Sequence, residues 1–259
     1  SALQCDACRI IVEPSARGTG PAIGLAAAIT CQEDPDAILG SFAADHLIGD
    51  DAAFQQTIEA AIEVAERDLL VTVGIQPRFP EVGYGYIEVD GELGTFQQLT
   101  AYAAASFKEK PDLATAEAYV ASGRYLWNAS MFVFRAGAFM DELDQLEPAL
   151  ATSLRTVADL WLRDPADVRI RSAWDAIEPV TIDEGVFERS NRVAVVPGNF
   201  PWSDLGDWNA IGDVLSSDEA GNIINGADVV HAESTGNIVI GDGRTVALVG
   251  VSNLVIVDT

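Results

Sequence analysis

The side chains best suited to chemistry in this chain are carboxylates, amides and lysines set directly after apolar runs. Trp202-Ser203-Asp204-Leu205-Gly206-Asp207-Trp208 follows the strand-like Arg192-Val193-Ala194-Val195-Val196 and a Pro-Gly turn. A strand ending this way delivers side chains to the C-terminal edge of a sheet, where open α/β folds place ligands. Asp204 is therefore a candidate ligand for a metal or a substrate. The alternative is a tryptophan-anchored loop whose aspartates cap the next helix. Asp45 stands in the equivalent place, in Ala43-Ala44-Asp45-His46 after the apolar run from Asp36 to Phe42. His46 reads as a hydrogen-bonded structural histidine, because the one other histidine is His231. Lys108 and Lys110 are the only lysines among fifteen basic residues. Two of them side by side point to a need for a compact ammonium rather than a planar guanidinium, with a solvated strand end as the alternative.

Composition bounds the rest. A chain of 259 residues, 49% hydrophobic, can bury a sizeable core and fits one large α/β domain or a large and a small one. No apolar run approaches the roughly 20 residues that span a bilayer, and the N-terminus lacks a secretory pattern, so the expected location is cytoplasmic. A formal net charge of −25 argues against a nucleic-acid groove and against an anionic membrane surface. Any phosphorylated ligand must then be held by a few local cations or by a metal. Cys5 and Cys8 have C-x-x-C spacing, but Cys31 is the only other cysteine, which rules out a four-thiolate zinc site.

Alternating apolar and polar stretches supply the elements that position these groups. Arg9 to Val12 reads as a short buried strand. Thr19 is placed to cap a helix beginning near Pro21. Asp51 to Asp68 reads as a helix with Phe54, Ile58, Ala61, Ile62 and Ala65 on its inner face, leading to a buried strand from Leu69 to Ile75. Such alternation implies a largely parallel sheet with helical crossovers. Gly83-Tyr84-Gly85-Tyr86-Ile87 pairs small residues with aromatics, which suits backbone lying close to a flat ligand, or else a strand kinked by glycine. Ala101 to Glu109 is a strand, Leu113 to Ser122 a helix, and Gly123 to Phe134 a strand that carries Asn128. Phe139 to Trp161 reads as helical. Thr181 to Glu188 starts another helix, with Asp183 in a capping role that its dipole favours. After Asp213 come short strands separated by Gly, Asn and Asp turns.

Several motifs, taken in order, resemble the mannose-1-phosphate guanylyltransferases, within the nucleotide-diphosphosugar transferase family. They are Glu13-Pro14 with Arg17, Ala44-Asp45-His46, Gly83-Tyr84-Gly85-Tyr86-Ile87, Phe107-Lys108-Glu109-Lys110-Pro111, Trp127-Asn128-Ala129-Ser130-Met131-Phe132, and the Trp202 to Trp208 run. The resemblance implies a Rossmann-like mixed, mainly parallel sheet flanked by helices, with a catalytic domain over residues 1–213. A C-terminal β region over residues 214–259 would mediate homodimerisation. It implies transfer of GMP from GTP to mannose 1-phosphate with Mg²⁺ or Mn²⁺. Asp45 and Asp204 would carry the metal and Lys110 the sugar phosphate. Gly85, Glu109 and Asn128 would contact the sugar, and Glu13, Arg17 and Thr19 the nucleotide.

The departures from the family matter as much. Its Gly-rich triphosphate loop has no counterpart here, which leads us to expect part of a longer enzyme. Gly18 replaces a common Asn, and Ser130 replaces a common Gly. The alternatives are a sister sugar-1-phosphate nucleotidyltransferase and a non-catalytic subunit that binds sugar nucleotides.

Overall fold

The computed structural model describes residues 10–204 and 215–258. Residues 10–12 form no strand, and Ile10 and Val12 are 84% and 76% exposed, so the expected buried strand there is not formed. Helix α1 (Thr19–Glu33) opens just ahead of its expected start, with Pro21 in the first turn, where a missing N–H is harmless. Strands β1 (Ile38–Ser41) and β2 (Leu47–Ile48) precede α2 (Asp51–Ala65). The buried face of α2 is Thr57, Ala60, Ala61, Val64 and Ala65, while Ile62 lies exposed. The helix is thus rotated from the face its larger apolar residues suggest, because small side chains let it sit close on the sheet.

Strand β3 (Leu70–Ile75) is buried throughout. Strands β4 (Tyr86–Phe96) and β5 (Leu99–Lys108) form a hairpin turned by Gln97 and Gln98, with φ of 46° and 66° as a type I′ turn needs. Helix α3 (Leu113–Ser122) is capped by Asp112, whose carboxylate accepts from the Thr115 N–H at 2.8 Å, and Gly123 ends it at φ 66°. Strand β6 (Tyr125–Arg135) leads into α4 (Ala136–Leu146), α5 (Pro148–Arg163) and α6 (Arg169–Asp175). Within the helical stretch expected from Phe139 to Trp161, Pro148 separates the two helices, since it cannot continue α4 but fits the first turn of α5. A π-helical turn (Asp183–Phe187) precedes β7 (Val193–Gly198) and β8 (Trp202–Ser203).

The fold is the expected mixed α/β sheet flanked by helices. Its order is β1-β6-β3-β7-β5-β4, and β4 also pairs with β6. Neighbours β3 and β7 run parallel, and the other pairings are antiparallel. Strands β1, β3, β7 and β4 nonetheless point the same way, because β6 and β5 are each inserted between strands of that direction. Side chains alternate across the sheet as the pleat requires. Phe132, Phe134, Leu70 and Val195 pack with α1, α4 and α5, whereas Val133, Val71, Ala194 and Val196 pack with α2. No helix among the described residues is long and apolar enough to cross a membrane.

The chain divides into two compact units at Ala43/Ala44, Asp51/Ala52 and Asn199/Phe200. The expected boundary at 213/214 lies outside the described residues, as do Cys5, Cys8 and the stretch from Leu205 to Trp208. In the smaller unit, β9 (Ile223–Asn225), β11 (Ile238–Ile240) and β13 (Val255–Val257) stack in parallel, and β10 (Asp228–Ala232) pairs in parallel with β12 (Thr245–Val249). Parallel strands without helical crossovers are the pattern of a β-solenoid.

Two asparagines tie the coils together. Asn222 and Asn237 are 1% and 0% exposed. The Asn222 carbonyl oxygen accepts from the Asn237 backbone N–H at 3.0 Å and its Nδ2 at 2.8 Å. The Asn237 oxygen accepts in turn from the Leu254 N–H at 3.1 Å, and its amide donates to the Val251 carbonyl at 3.2 Å. Replacing Asn237 with Leu leaves the Leu254 N–H and the Val251 carbonyl without this partner and takes one of two donors from the Asn222 side-chain oxygen, whose bond from the residue 237 backbone remains. Chemical unfolding should show a loss of about 3 kcal/mol, and a loss below about 1 kcal/mol would mean the ladder does not hold the coils.

Candidate active site

The first residues of β4 are paired on both sides. Tyr86, Ile87 and Glu88 face Lys108, Phe107 and Ser106 of β5, and Trp127, Leu126 and Tyr125 of β6. This brings together four residues that the sequence places far apart. The Asn128 N–H donates to the Gly85 carbonyl at 2.8 Å, and the Lys110 N–H donates to the Tyr84 carbonyl at 3.2 Å. A Cβ on Gly85 would lie 2.5 Å from Glu109 Oε2 and 3.3 Å from Asn128 Cβ, so only glycine lets the Glu109 carboxylate lie against the backbone. Lys110, at φ 44°, points its ammonium to Glu109 Oε1 at 3.1 Å.

Asn128 is 4% exposed and its amide orientation is fixed. Its oxygen accepts from the Thr72 hydroxyl at 2.9 Å and from the Ser130 N–H at 3.1 Å, and its Nδ2 donates to Asp183 Oδ1 at 2.9 Å. A bulge makes this possible. Thr72 faces Phe132 while Gly74 faces Asn128, so β6 carries extra residues there, and Ser130 sits among them at φ 51°. A left-handed residue at this position accounts for the glycine that the family commonly has.

Asp183 is the residue that sequence reasoning misread. It was expected to cap its helix, but Thr181 and Glu184 form that cap. The Glu184 N–H donates to the Thr181 hydroxyl at 3.1 Å, and that hydroxyl reaches the Glu184 carboxylate at 3.2 Å. The Asp183 carboxylate accepts from its own backbone N–H and turns toward Asn128. Burial, then the neighbouring negative charge of Glu109, push its carboxyl up to about 6. The signal that could have found it is the Thr-x-x-Glu spacing, which already supplies the cap and releases the second acid.

The three residues expected at the nucleotide lie around the start of α1. Thr19 does not cap the helix. Its hydroxyl accepts from the Ile182 N–H at 3.0 Å, directly before Asp183. The Gly20 N–H donates to the Val180 carbonyl, and the Val180 N–H to the Arg17 carbonyl, both at 3.1 Å. Gly18 has φ 87°, and a Cβ there would meet Val180 O at 2.6 Å, so the family's asparagine would not fit this backbone. Arg17 pairs with Asp175 at 3.4 Å, and Glu13 is exposed.

In the smaller unit, β2 and β8 form a short antiparallel ribbon, with Leu47 opposite Ser203 and Ile48 opposite Trp202. Asp45 and Asp204 flank this ribbon at the same end. Nδ1 of His46 accepts from the Trp202 indole N–H at 3.4 Å, which gives it the structural role expected from sequence. Burial lowers its pKa, while Asp45 and Asp204 both pull it upward, so both carboxylates act on one imidazole.

The raised pKa of Asp183 has a consequence for stability. The folded protein binds that proton more tightly than the unfolded chain, whose carboxyl titrates near 3.8. Stability from this group is therefore greatest at low pH, falls as pH rises toward about 6, and is level above that. Asp183→Asn removes the falling part and can still accept from Asn128. Chemical unfolding should find the variant more stable than wild type by about 2–3 kcal/mol at pH 7.5 and nearly equal to it at pH 4.

The sequence matches the nucleotidyl transferase family over residues 4–221. It is 39% identical over 251 residues to the xanthan biosynthesis protein XanB of Xanthomonas campestris pv. campestris (strain B100), covering 96% of this chain and 52% of that protein. It is 39% identical over 254 residues to the mannose-1-phosphate guanylyltransferase of Escherichia coli (strain K12), covering 96% of this chain and 53% of that one. A Thermus thermophilus crystal structure described as a mannose-1-phosphate geranyltransferase superposes with a TM-score of 0.84 at 31% identity, over 98% of this chain and 72% of that one. The chain spans about half the length of the curated relatives it matches. From a family match that takes in most of its residues, the chain belongs to the nucleotidyl transferases.

Proposed function

We propose that this chain carries the nucleotidyl-transfer activity of a mannose-1-phosphate guanylyltransferase, moving GMP from GTP to mannose 1-phosphate and releasing pyrophosphate. The observation that carries this reading is the meeting of Gly85, Glu109, Lys110 and Asn128, one cation beside hydroxyl-reading groups, in a chain whose relatives bear that name.

A phosphate oxygen of mannose 1-phosphate attacks the α-phosphorus of GTP in line. The new P–O bond forms as the bond to the β-phosphate breaks, and its electron pair leaves with pyrophosphate. The attacking phosphate is already ionised at neutral pH, so no general base is required. Catalysis is then chiefly positioning and neutralisation of charge. Lys110 offers its ammonium to the sugar phosphate, while Glu109 and the second Nδ2–H of Asn128 bond hydroxyls on the ring. Arg17, Thr19 and Glu13 are assigned to the nucleotide.

Asp45 and Asp204 fit a divalent cation such as Mg²⁺ or Mn²⁺. Both are hard oxygen donors acting on the same His46. Among the described residues no group of three or more His, Cys, Asp or Glu side chains forms a metal cage. Two carboxylates suit Mg²⁺, which keeps waters and takes the rest of its shell from substrate phosphates. When bound, the ion offsets charge on the triphosphate. A GTP-consuming reaction sets the protein in the cytoplasm. Exposed Val230, Val249 and Val257 of the C-terminal strands favour pairing of two copies there.

Pyrophosphate release measured over a panel of nucleoside triphosphates and hexose 1-phosphates tests the reading, and GTP with mannose 1-phosphate should be the best pair. Another preferred pair would reassign the enzyme to a sister activity. Lys110→Ala should lower kcat/KM by about 100-fold or more with unchanged circular dichroism, and unaltered kinetics would remove the phosphate assignment.

A further inference from the structure

The amide of Asn128 has little left to give a substrate. Both acceptor sites of its oxygen are used, by the Thr72 hydroxyl and the Ser130 N–H. A flipped amide would set its NH₂ against the Ser130 donor and its oxygen against a carboxylate. The amide therefore keeps its Nδ2 on Asp183, and one N–H remains for a ligand.

Asp183 is in the opposite condition. Its Oδ1 holds Asn128, and among the described residues it makes no ion pair. Glu109, after β5, and Glu188, at the end of the π-helical turn, both crowd it with negative charge. Glu188 is itself held in place by the Glu109 N–H at 3.3 Å. The ammonium of Lys110 is engaged with Glu109 Oε1. Helix capping does not explain the acid, because Thr181 and Glu184 supply the cap. A carboxylate in these surroundings gains from a ligand that brings hydroxyl donors without further negative charge. In a sugar phosphate that part is the ring, while the phosphate end belongs with Lys110.

We propose that Asp183 is a specificity-determining residue of this site, fixing the Asn128 amide in one orientation and presenting its second carboxylate oxygen to a hydroxyl of the sugar ring. The assignment rests on the reading of the Gly85, Glu109, Lys110 and Asn128 cluster as the sugar-phosphate site. It orients the substrate, with ring hydroxyls toward Asp183 and Glu109 and phosphate toward Lys110.

Asp183→Asn is the discriminating variant, because it preserves shape and the bond from Asn128 and removes only the charge. In steady-state kinetics of the intact enzyme, KM for mannose 1-phosphate should rise about tenfold, with KM for GTP within about twofold and kcat within about threefold. Calorimetric titration with mannose 1-phosphate alone should show the same weakening. An unchanged KM and affinity for the sugar phosphate overturns the assignment, as does an equal rise in both KM values, which marks a general distortion. Failure of the reading beneath it looks different. Wild-type protein would then neither release pyrophosphate from GTP and mannose 1-phosphate nor bind mannose 1-phosphate in the calorimeter, and the assignment of Asp183 falls with it; binding without pyrophosphate release removes only the enzyme reading, and the calorimetric comparison then judges Asp183.

Discussion

The candidate site depends on the double pairing of the first residues of β4. Tyr86 and Ile87 are fully buried and hydrogen-bonded into β5 on one side and β6 on the other. Burial leaves their backbone groups no access to water, so both ladders must form or the groups go unpaired. That constraint sets Gly85, the residue just before the strand, between the chain leaving β5 and the start of β6. The register of β4 against β5 then slips between Glu88 and Val89 and again before Gly94. These irregularities let a long hairpin keep its other end under α2, where Phe96 and Ala101 are buried, while its near end serves the site.

A second constraint joins the start of α1 to the turn that carries Asp183. Residues 17–20 and 180–182 are laced by three hydrogen bonds, two of them between backbones and one from the Ile182 N–H to the Thr19 hydroxyl. The two segments approach so closely that a Cβ at Gly20 would meet Val180 O at 2.9 Å. Thr19 therefore serves as a spacer that positions Asp183, and Arg17, Thr19 and Asp183 are carried on segments hydrogen-bonded to each other.

Much of this was legible from local pattern. The apolar runs of β3 and β7 and the helix from Leu113 to Ser122 follow from period and capping chemistry, whereas the acidic turn expected at Asp90-Gly91-Glu92 lies inside β4 and the hairpin turns at Gln97 and Gln98. The grouping of Gly85, Glu109, Lys110 and Asn128 came from resemblance, and the structure adds the ladders that unite them. What could not be read are choices made between distant residues. Asp183 and Glu184 are adjacent acids in one first turn, and only the Thr181 hydroxyl decides which of them caps. The face that α2 buries is decided by how closely the sheet can be approached, which favours Ala60 and Ala61 over Ile62. Ile10 and Val12 look like strand residues, but no strand among the described residues pairs with them. The strand β10 escaped notice because Asp228 and His231 interrupt its apolar pattern.

The charge of the chain raises a sharper question for the proposed reaction: how would a protein of net charge −25 receive two anionic reactants? The arrangement of Lys110 suggests an answer in local terms. Its side chain is 65% exposed and its contact with Glu109 is an open ion pair. Such a pair contributes at most about 1 kcal/mol, so it yields easily to a better partner. On the proposed reading, a phosphate dianion reaching Lys110 would draw the ammonium from Glu109, and the released carboxylate would be free to accept a hydroxyl from the same substrate. Binding the phosphate and reading the ring would then be one event. The surrounding acids would act as an advantage in that proposal, by disfavouring an anion in any pose except the one that gives its charge to Lys110 and its hydroxyls to Glu109 and Asp183.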